Sequence, residues 1–218
     1  MSNVVAFFDM DRTILRDSSG RLYMRYLWRQ SSVDRRAMLR SYWHAALYRL
    51  HLLDYPTVAV KLALTAAGSR EDETRALCQR WFDEMGVHYI AEKAAQRMQQ
   101  HRAQGHRVTI ISASTPYVVE PVATHLGVAD SLCTRLEVQG GRFTGRIIEP
   151  PCFGPGKVHW AKVYAARHGA TMEHSYLYSD SHSDRTLLEE VGHPVAVNPD
   201  PRLAALASRC GWPVEYFY

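Results

Sequence analysis

The sequence predicts an α/β fold: a Rossmann-like parallel sheet with helices on both faces, plus an inserted all-helical cap and a small β-hairpin. Three observations lead there. Val4 to Phe8 is an unbroken run of β-branched and aromatic residues, which reads as a strand buried on both faces. About seventy residues after it carry apolar side chains at helical spacing with almost no strand alternation. Strands and helices then alternate through the second half, the pattern of a parallel sheet covered on both sides.

Taken in order, Asp17 to Gly20 is a turn and a hinge. Leu22, Tyr26 and Leu27 recur at helical spacing, as do Met38, Tyr42, Ala45, Ala46 and Arg49. Pro56 begins another helix through Val60 and Leu64 to Gly68, and Glu71 to Met85 a further one with Leu77, Trp81 and Met85 on one face. Residues 16–87 are thus expected to form the cap, and 1–15 with 88–218 the core.

The core resumes with a helix over Ala91 to Gln104, stopped by Gly105, and a strand over His106 to Ile111 that ends at Ser112-Ala113-Ser114. Pro116 suits the first turn of a helix running to about Leu126. Leu132 to Val138 and Arg142 to Ile148, joined by Gly140-Gly141, read as the hairpin. A loop follows from Pro150 to Gly156, then a helix from Lys157 to His168. Ser175 to Ser179 is a strand, Asp184 to Val191 a helix, Pro194 to Val197 a strand and Pro201 to Arg209 a helix. The aromatic tail from Trp212 to Tyr218 is expected to pack on the body.

Composition narrows the classes of function. A chain of 218 residues suffices for one α/β core with a small insertion. A net charge of +4 without a Lys/Arg block gives no reason to expect nucleic-acid binding. The first strand begins within a few residues of Met1, which leaves no room for a signal peptide, and no apolar run reaches the ~20 residues of a membrane span. Cys78, Cys133, Cys152 and Cys210 lack metal-ligand spacing and read as packing residues. A cytoplasmic protein, monomer or homodimer, is expected.

Acidic residues cluster where such a sheet binds ligands, at the carboxyl ends of its strands. Asp9 and Asp11 follow the first strand, Ser112 the second, and Asp180 and Asp184 a third, while Lys157 opens a helix. Four carboxylates and one amine in one crevice make a site for a divalent cation, Mg²⁺ by its oxygen ligands, with room for a phosphate. An isolated Asp at a strand end would otherwise be a helix cap, and Thr13 a turn residue. His182, between two serines of the last loop, reads as a residue pointing outward rather than an acid/base.

Asp9-Met10-Asp11-Arg12-Thr13 after an apolar strand, then Ser112, Lys157 and Asp180-Ser181-His182-Ser183-Asp184 in that order, resembles the haloacid dehalogenase-like phosphohydrolases along essentially the whole chain. A helical insertion after the first motif resembles the phosphoserine-phosphatase-like subclass. The resemblance implies that Asp9 is the nucleophile that becomes an aspartyl-phosphate and Asp11 the general acid/base. It implies Mg²⁺ on Asp9, the Asp11 carbonyl and Asp180, with Asp184 close by. Ser112, with the amides of Ala113 and Ser114, and Lys157 then bind the phosphoryl group, and Thr13 orients the loop.

The expected substrate is a small phosphomonoester. Nine arginines against two acids between Arg12 and Arg49 suit an anion, and Arg12 and Arg16, next to the catalytic loop, are the residues expected to touch it. Phosphoserine phosphatases place a Glu where this chain has Ser18, so phosphoserine itself is disfavoured. Histidinol phosphate, phosphorylated amino alcohols, lysophospholipids and sugar phosphates stay open. So do a phosphotransferase with an alcohol acceptor and a non-enzymatic binding protein on the same core.

Overall fold

The computed structural model describes residues 3–30, 60 and 63–218. Strand β1 (Val5–Phe8) leads through a tight turn into helix α1 (Ser19–Arg29). Helices α2 (Glu71–Glu84) and α3 (Glu92–Ala103) precede β2 (Arg107–Ser112) and α4 (Pro116–His125). Then come β3 (Ser131–Cys133), β4 (Arg135–Gln139) and β5 (Arg142–Ile148). Helix α5 (Pro155–Arg167), β6 (Tyr176–Ser179), the one-turn α6 (Arg185–Leu188), β7 (His193–Val197), α7 (Pro201–Cys210) and β8 (Val214–Glu215) complete the chain.

The main sheet is parallel throughout, in the order β3-β2-β1-β6-β7-β8. The chain therefore winds outward from β1 in one direction, then returns to its other side, and a crevice opens at the carboxyl end of β1. All four residues of β1 are buried because successive side chains enter opposite layers. Ala6 and Phe8 join Leu22 and Tyr26 of α1, Trp81 of α2, Met98 of α3 and Val119 and Val122 of α4. Val5 and Phe7 join Ala161 and Tyr164 of α5, Leu187 of α6 and Leu203 and Leu206 of α7. The sheet is thus the middle of three layers, as the sequence predicts.

Local chemistry explains the boundaries. Helix α7 begins where Asp200 Oδ1 accepts the Arg202 and Leu203 N–H groups (2.9 and 2.8 Å) and Pro201 needs no donor; it ends at Gly211, whose φ of +68° suits glycine. The expected hinge at Asp17 to Gly20 is shorter than read, since Ser19 and Gly20 already belong to α1. The first arm of the expected hairpin is split. Leu132 and Cys133 pair with β2 in the main sheet, and the antiparallel hairpin consists of β4 and β5 alone. The break is at buried Thr134, whose N–H donates to Ser114 O (3.1 Å) and whose hydroxyl accepts Cys152 N–H (3.0 Å).

The expected helix over Asp184 to Val191 is one α-turn after a 3-10 turn at His182–Asp184. The tail does more than pack. Val214 and Glu215 form a sixth strand, and Phe217 is buried against the Tyr178 ring. The helical readings at Met38, Tyr42, Ala45, Ala46, Arg49 and Pro56 fall outside the described residues. Among those described, no helix is long and apolar enough to cross a membrane.

Candidate active site

Asp9 continues the ladder one step past β1, its N–H donating to Tyr178 O (2.9 Å). The chain then turns on buried Met10, whose carbonyl accepts the Ile14 and Leu15 N–H groups (3.0 and 2.9 Å). Burial of Met10, Ile14 and Leu15 anchors the turn from below, leaving Asp9, Asp11 and Arg12 at the crevice. Arg12 adopts φ +57°. Asp11 is held by the start of α1: Ser19 N–H donates to Oδ1 (2.9 Å) and Ser18 Oγ to Oδ2 (3.5 Å). Burial raises the Asp11 pKa, and the Ser19 N–H opposes that rise.

Lys157 lies in the first turn of α5 with 3% of its surface exposed. Its Nζ donates to Asp9 Oδ1 (2.6 Å) and Asp184 Oδ2 (2.8 Å). Ser179 Oγ adds a bond to the same Asp184 oxygen (2.7 Å). Burial alone would lower the Lys157 pKa, but Asp184 and Asp9 outweigh it, and the ammonium is held well above the usual lysine range. Asp9 is pushed up to about 7 by burial, against the pull of Lys157 and with the push of Asp184. Asp180 is pushed up to about 8, by burial first and by Asp9 and Asp184 next.

One ammonium cannot offset this many buried carboxylates, which therefore take up protons or a cation. Among the described residues no three His, Cys, Asp or Glu side chains gather as a metal-binding group. Mg²⁺ asks for less, because one or two carboxylates suffice when water and phosphoryl oxygens complete its octahedron. Asp9 and Asp180 offer that pair, and Asp184 keeps one buried oxygen, Oδ1, without a hydrogen-bond partner. The donor set fits Mg²⁺.

A cavity of about 240 Å³ opens over these groups. Asp9, Asp11, Arg12, Ser112, Ala113, Lys157, Asp180 and Asp184 all reach it. Ser112 ends β2, and its hydroxyl accepts the Ser114 N–H (3.2 Å). Three expected residues are not brought to the cavity, Ser114 among them, since its N–H goes to the Ser112 hydroxyl. Arg16 turns away to the His88 carbonyl (2.5 Å) and the Tyr89 ring, and Thr13 is buried beneath the loop with its hydroxyl unpartnered. His182 is also absent from the wall, which Ser181 and Ser183 form instead.

The sequence reading overlooked Phe153 and Ser181 in the wall, Ser179 beneath Asp184, and Asp200. Asp200 pins the last acidic loop: its N–H donates to Asp180 O (2.8 Å) and its Oδ2 accepts His182 N–H (2.8 Å). The Asp200-Pro201 pair carries a capping signal that could have marked it. Nothing in the sequence marks Phe153.

Comparison with known proteins bears on the family and the fold. A family described as haloacid dehalogenase-like hydrolase matches residues 6–189. A Mycobacterium tuberculosis protein named as a probable phosphatase is 33% identical over 99% of this chain and 76% of its own length. A histidinol-phosphatase of Neisseria meningitidis serogroup C is 30% identical over 98% of both chains. A solved Bordetella pertussis protein described as of unknown function superposes with a TM-score of 0.91 at 28% identity, over 100% of both chains. A phosphoserine phosphatase solved with a phospho-aspartyl intermediate analogue shares the fold, with a TM-score of 0.69 at 15% identity over 98% of this chain and 93% of its own.

Proposed function

Because the chain belongs to the haloacid dehalogenase-like hydrolases, we propose that it is a Mg²⁺-dependent phosphatase that transfers the phosphoryl group of a small metabolite to Asp9 and then to water. The observation that carries this reading is the buried Lys157 bridge between Asp9 and Asp184, set under a phosphate-sized cavity at the end of the central strand.

Asp9 attacks phosphorus as the bond to the leaving oxygen breaks, giving an aspartyl-phosphate. Asp11 protonates the departing alkoxide, a role suited by its raised pKa. It then takes a proton from the water that cleaves the acyl phosphate, so that inorganic phosphate leaves and both carboxyls are restored. Lys157 offsets charge on the phosphoryl oxygens. The Ser112 hydroxyl, which accepts from Ser114, keeps its own proton for one of them. Mg²⁺, held by Asp9, Asp180 and the Asp11 carbonyl with Asp184 behind, would neutralise the phosphoryl group and fix its orientation. Residues 16–87 act as a cap that excludes water and reads the leaving group.

The test is phosphate release from histidinol phosphate, phosphoserine, phosphocholine, sugar phosphates and lysophosphatidate, with Mg²⁺ and with EDTA. Histidinol phosphate, already open from the sequence, gains support from the name of the Neisseria relative. Turnover abolished by EDTA and by Asp9→Asn supports the reading. Turnover that survives Asp9→Asn refutes the nucleophile, and phosphorylated alcohol among the products would make the enzyme a phosphotransferase.

A further inference from the structure

We infer that the leaving group is an uncharged, mainly apolar alcohol; the inference rests on the phosphatase reading and narrows its substrate class. A second cavity, of about 330 Å³, adjoins the first on the far side of Asp11. The two share Asp11, Ser18 and Ala113. A phosphate ester seated over Asp9 therefore directs its bridging oxygen past the proposed acid, and the body of the alcohol into this space.

The walls of that space determine what it accepts. Tyr23 of α1 and Val118 of α4 face Leu136 and Ile147, which pair across the β4–β5 hairpin. The hydroxyls present are largely spoken for: Ser19 and Ser114 bond each other (3.0 Å), and Thr134 accepts Cys152 N–H. Among the described lining residues Asp11 is the one charged side chain. Among the described residues, the charges nearby do not turn into this space. Asp17 pairs with Arg21 (3.3 Å), Arg16 holds the His88 carbonyl, and Arg12 borders the first cavity but not the second. A serine leaving group would bring an ammonium and a carboxylate into a space whose described walls hold no cation for the carboxylate, and burying an unpaired charge is costly. An alkyl or aryl alcohol gains from the same walls through burial of its apolar surface.

The decisive experiment compares hexyl phosphate with ω-aminohexyl phosphate, equal in length and different by one ammonium. Acetyl phosphate, too small to need the second cavity, reports the phosphatase reading separately. The expected result is turnover of acetyl phosphate with kcat/KM at least about tenfold higher for hexyl phosphate than for its amino analogue. Leu136→Glu is expected to lower that ratio by supplying a counter-charge. Turnover of acetyl phosphate with a ratio near or below one overturns the inference and leaves the phosphatase reading standing. If no phosphate is released from any of the three, the phosphatase reading fails. Calorimetric binding of hexylphosphonate against ω-aminohexylphosphonate then decides the cavity by the same criterion, equal affinities overturning it.

Discussion

The Tyr218 hydroxyl donates to the Arg12 carbonyl at 3.2 Å, joining the aromatic tail to the loop that carries Asp9 and Asp11. Asn198 Nδ2 donates to the same carbonyl at 3.2 Å, and Asn198 Oδ1 accepts Phe217 N–H (3.0 Å). Arg12 sits at φ +57°, a conformation costing a non-glycine residue roughly 1–2 kcal/mol. The two bonds offset that cost. Tyr218→Phe is expected to lower kcat by up to about fivefold, the factor that corresponds to one hydrogen bond of about 1 kcal/mol. Asn198→Ala should cost more, because it also strands the Phe217 N–H. Steady-state kinetics beside thermal melts of both variants check this order.

Lys157→Met removes the one cation between Asp9 and Asp184. Loss of a partner from a buried ion pair costs about 3–5 kcal/mol, and loss of a charge aimed at the reacting group costs about 10²–10³ in kcat. Both are expected here, read by urea unfolding and by phosphate release. Wild-type stability in the variant would mean that the two carboxyls can be neutralised without the ammonium.

Stability of the metal-free protein should depend on pH in a defined direction. Asp9 and Asp180, pushed up to about 7 and about 8, keep their protons in the folded chain where the unfolded chain has lost them. Folding then binds protons, and stability falls as pH rises towards 8. His101 acts oppositely at lower pH. Burial, with help from His106 and Arg97, holds its pKa down to about 4, so its contribution grows until about pH 6.5. The clear window is therefore above about pH 6.5. In EDTA the melting temperature is expected to fall from there to beyond pH 8, and with Mg²⁺ that fall should disappear. Identical slopes in the two buffers would argue against a cation at these carboxylates.

Gly156→Ala is expected to damage fold and activity together. A Cβ at this position would lie 1.9 Å from the Pro151 carbonyl oxygen, and the next residue is Lys157. The backbone must move, and the ammonium moves with it. Gly127→Ala is the comparison: φ is +63° there, but nothing lies within 4 Å of the added methyl. It should lose some stability and keep its kcat, measured by the same melts and kinetics.

The central strand and the residues that meet at its end could be read from the sequence because each follows an apolar run that terminates abruptly. Asp9, Ser112 and Asp180 stand next to such runs, so their convergence follows from strand order alone. Arg16 carries no comparable signal, since a helical or turn residue can face either way, and the His88 carbonyl claims it. Strand β8 escaped notice because two residues between Pro213 and an aromatic tail show no alternation; only the edge of β7 makes them a strand. The split at Thr134 was hidden for a related reason, as β3 and β4 are almost continuous in sequence and diverge through tertiary hydrogen bonds. Phe153 reaches the crevice from a loop, where periodicity says nothing.

The Lys157–Asp9 contact joins positions 148 residues apart, and Asp184 lies 27 residues further on. Loop-closure entropy for such pairings is met only when most of the chain is already organised. During refolding the crevice should therefore be among the last features to form, so that recovery of catalysis lags behind recovery of helical circular dichroism.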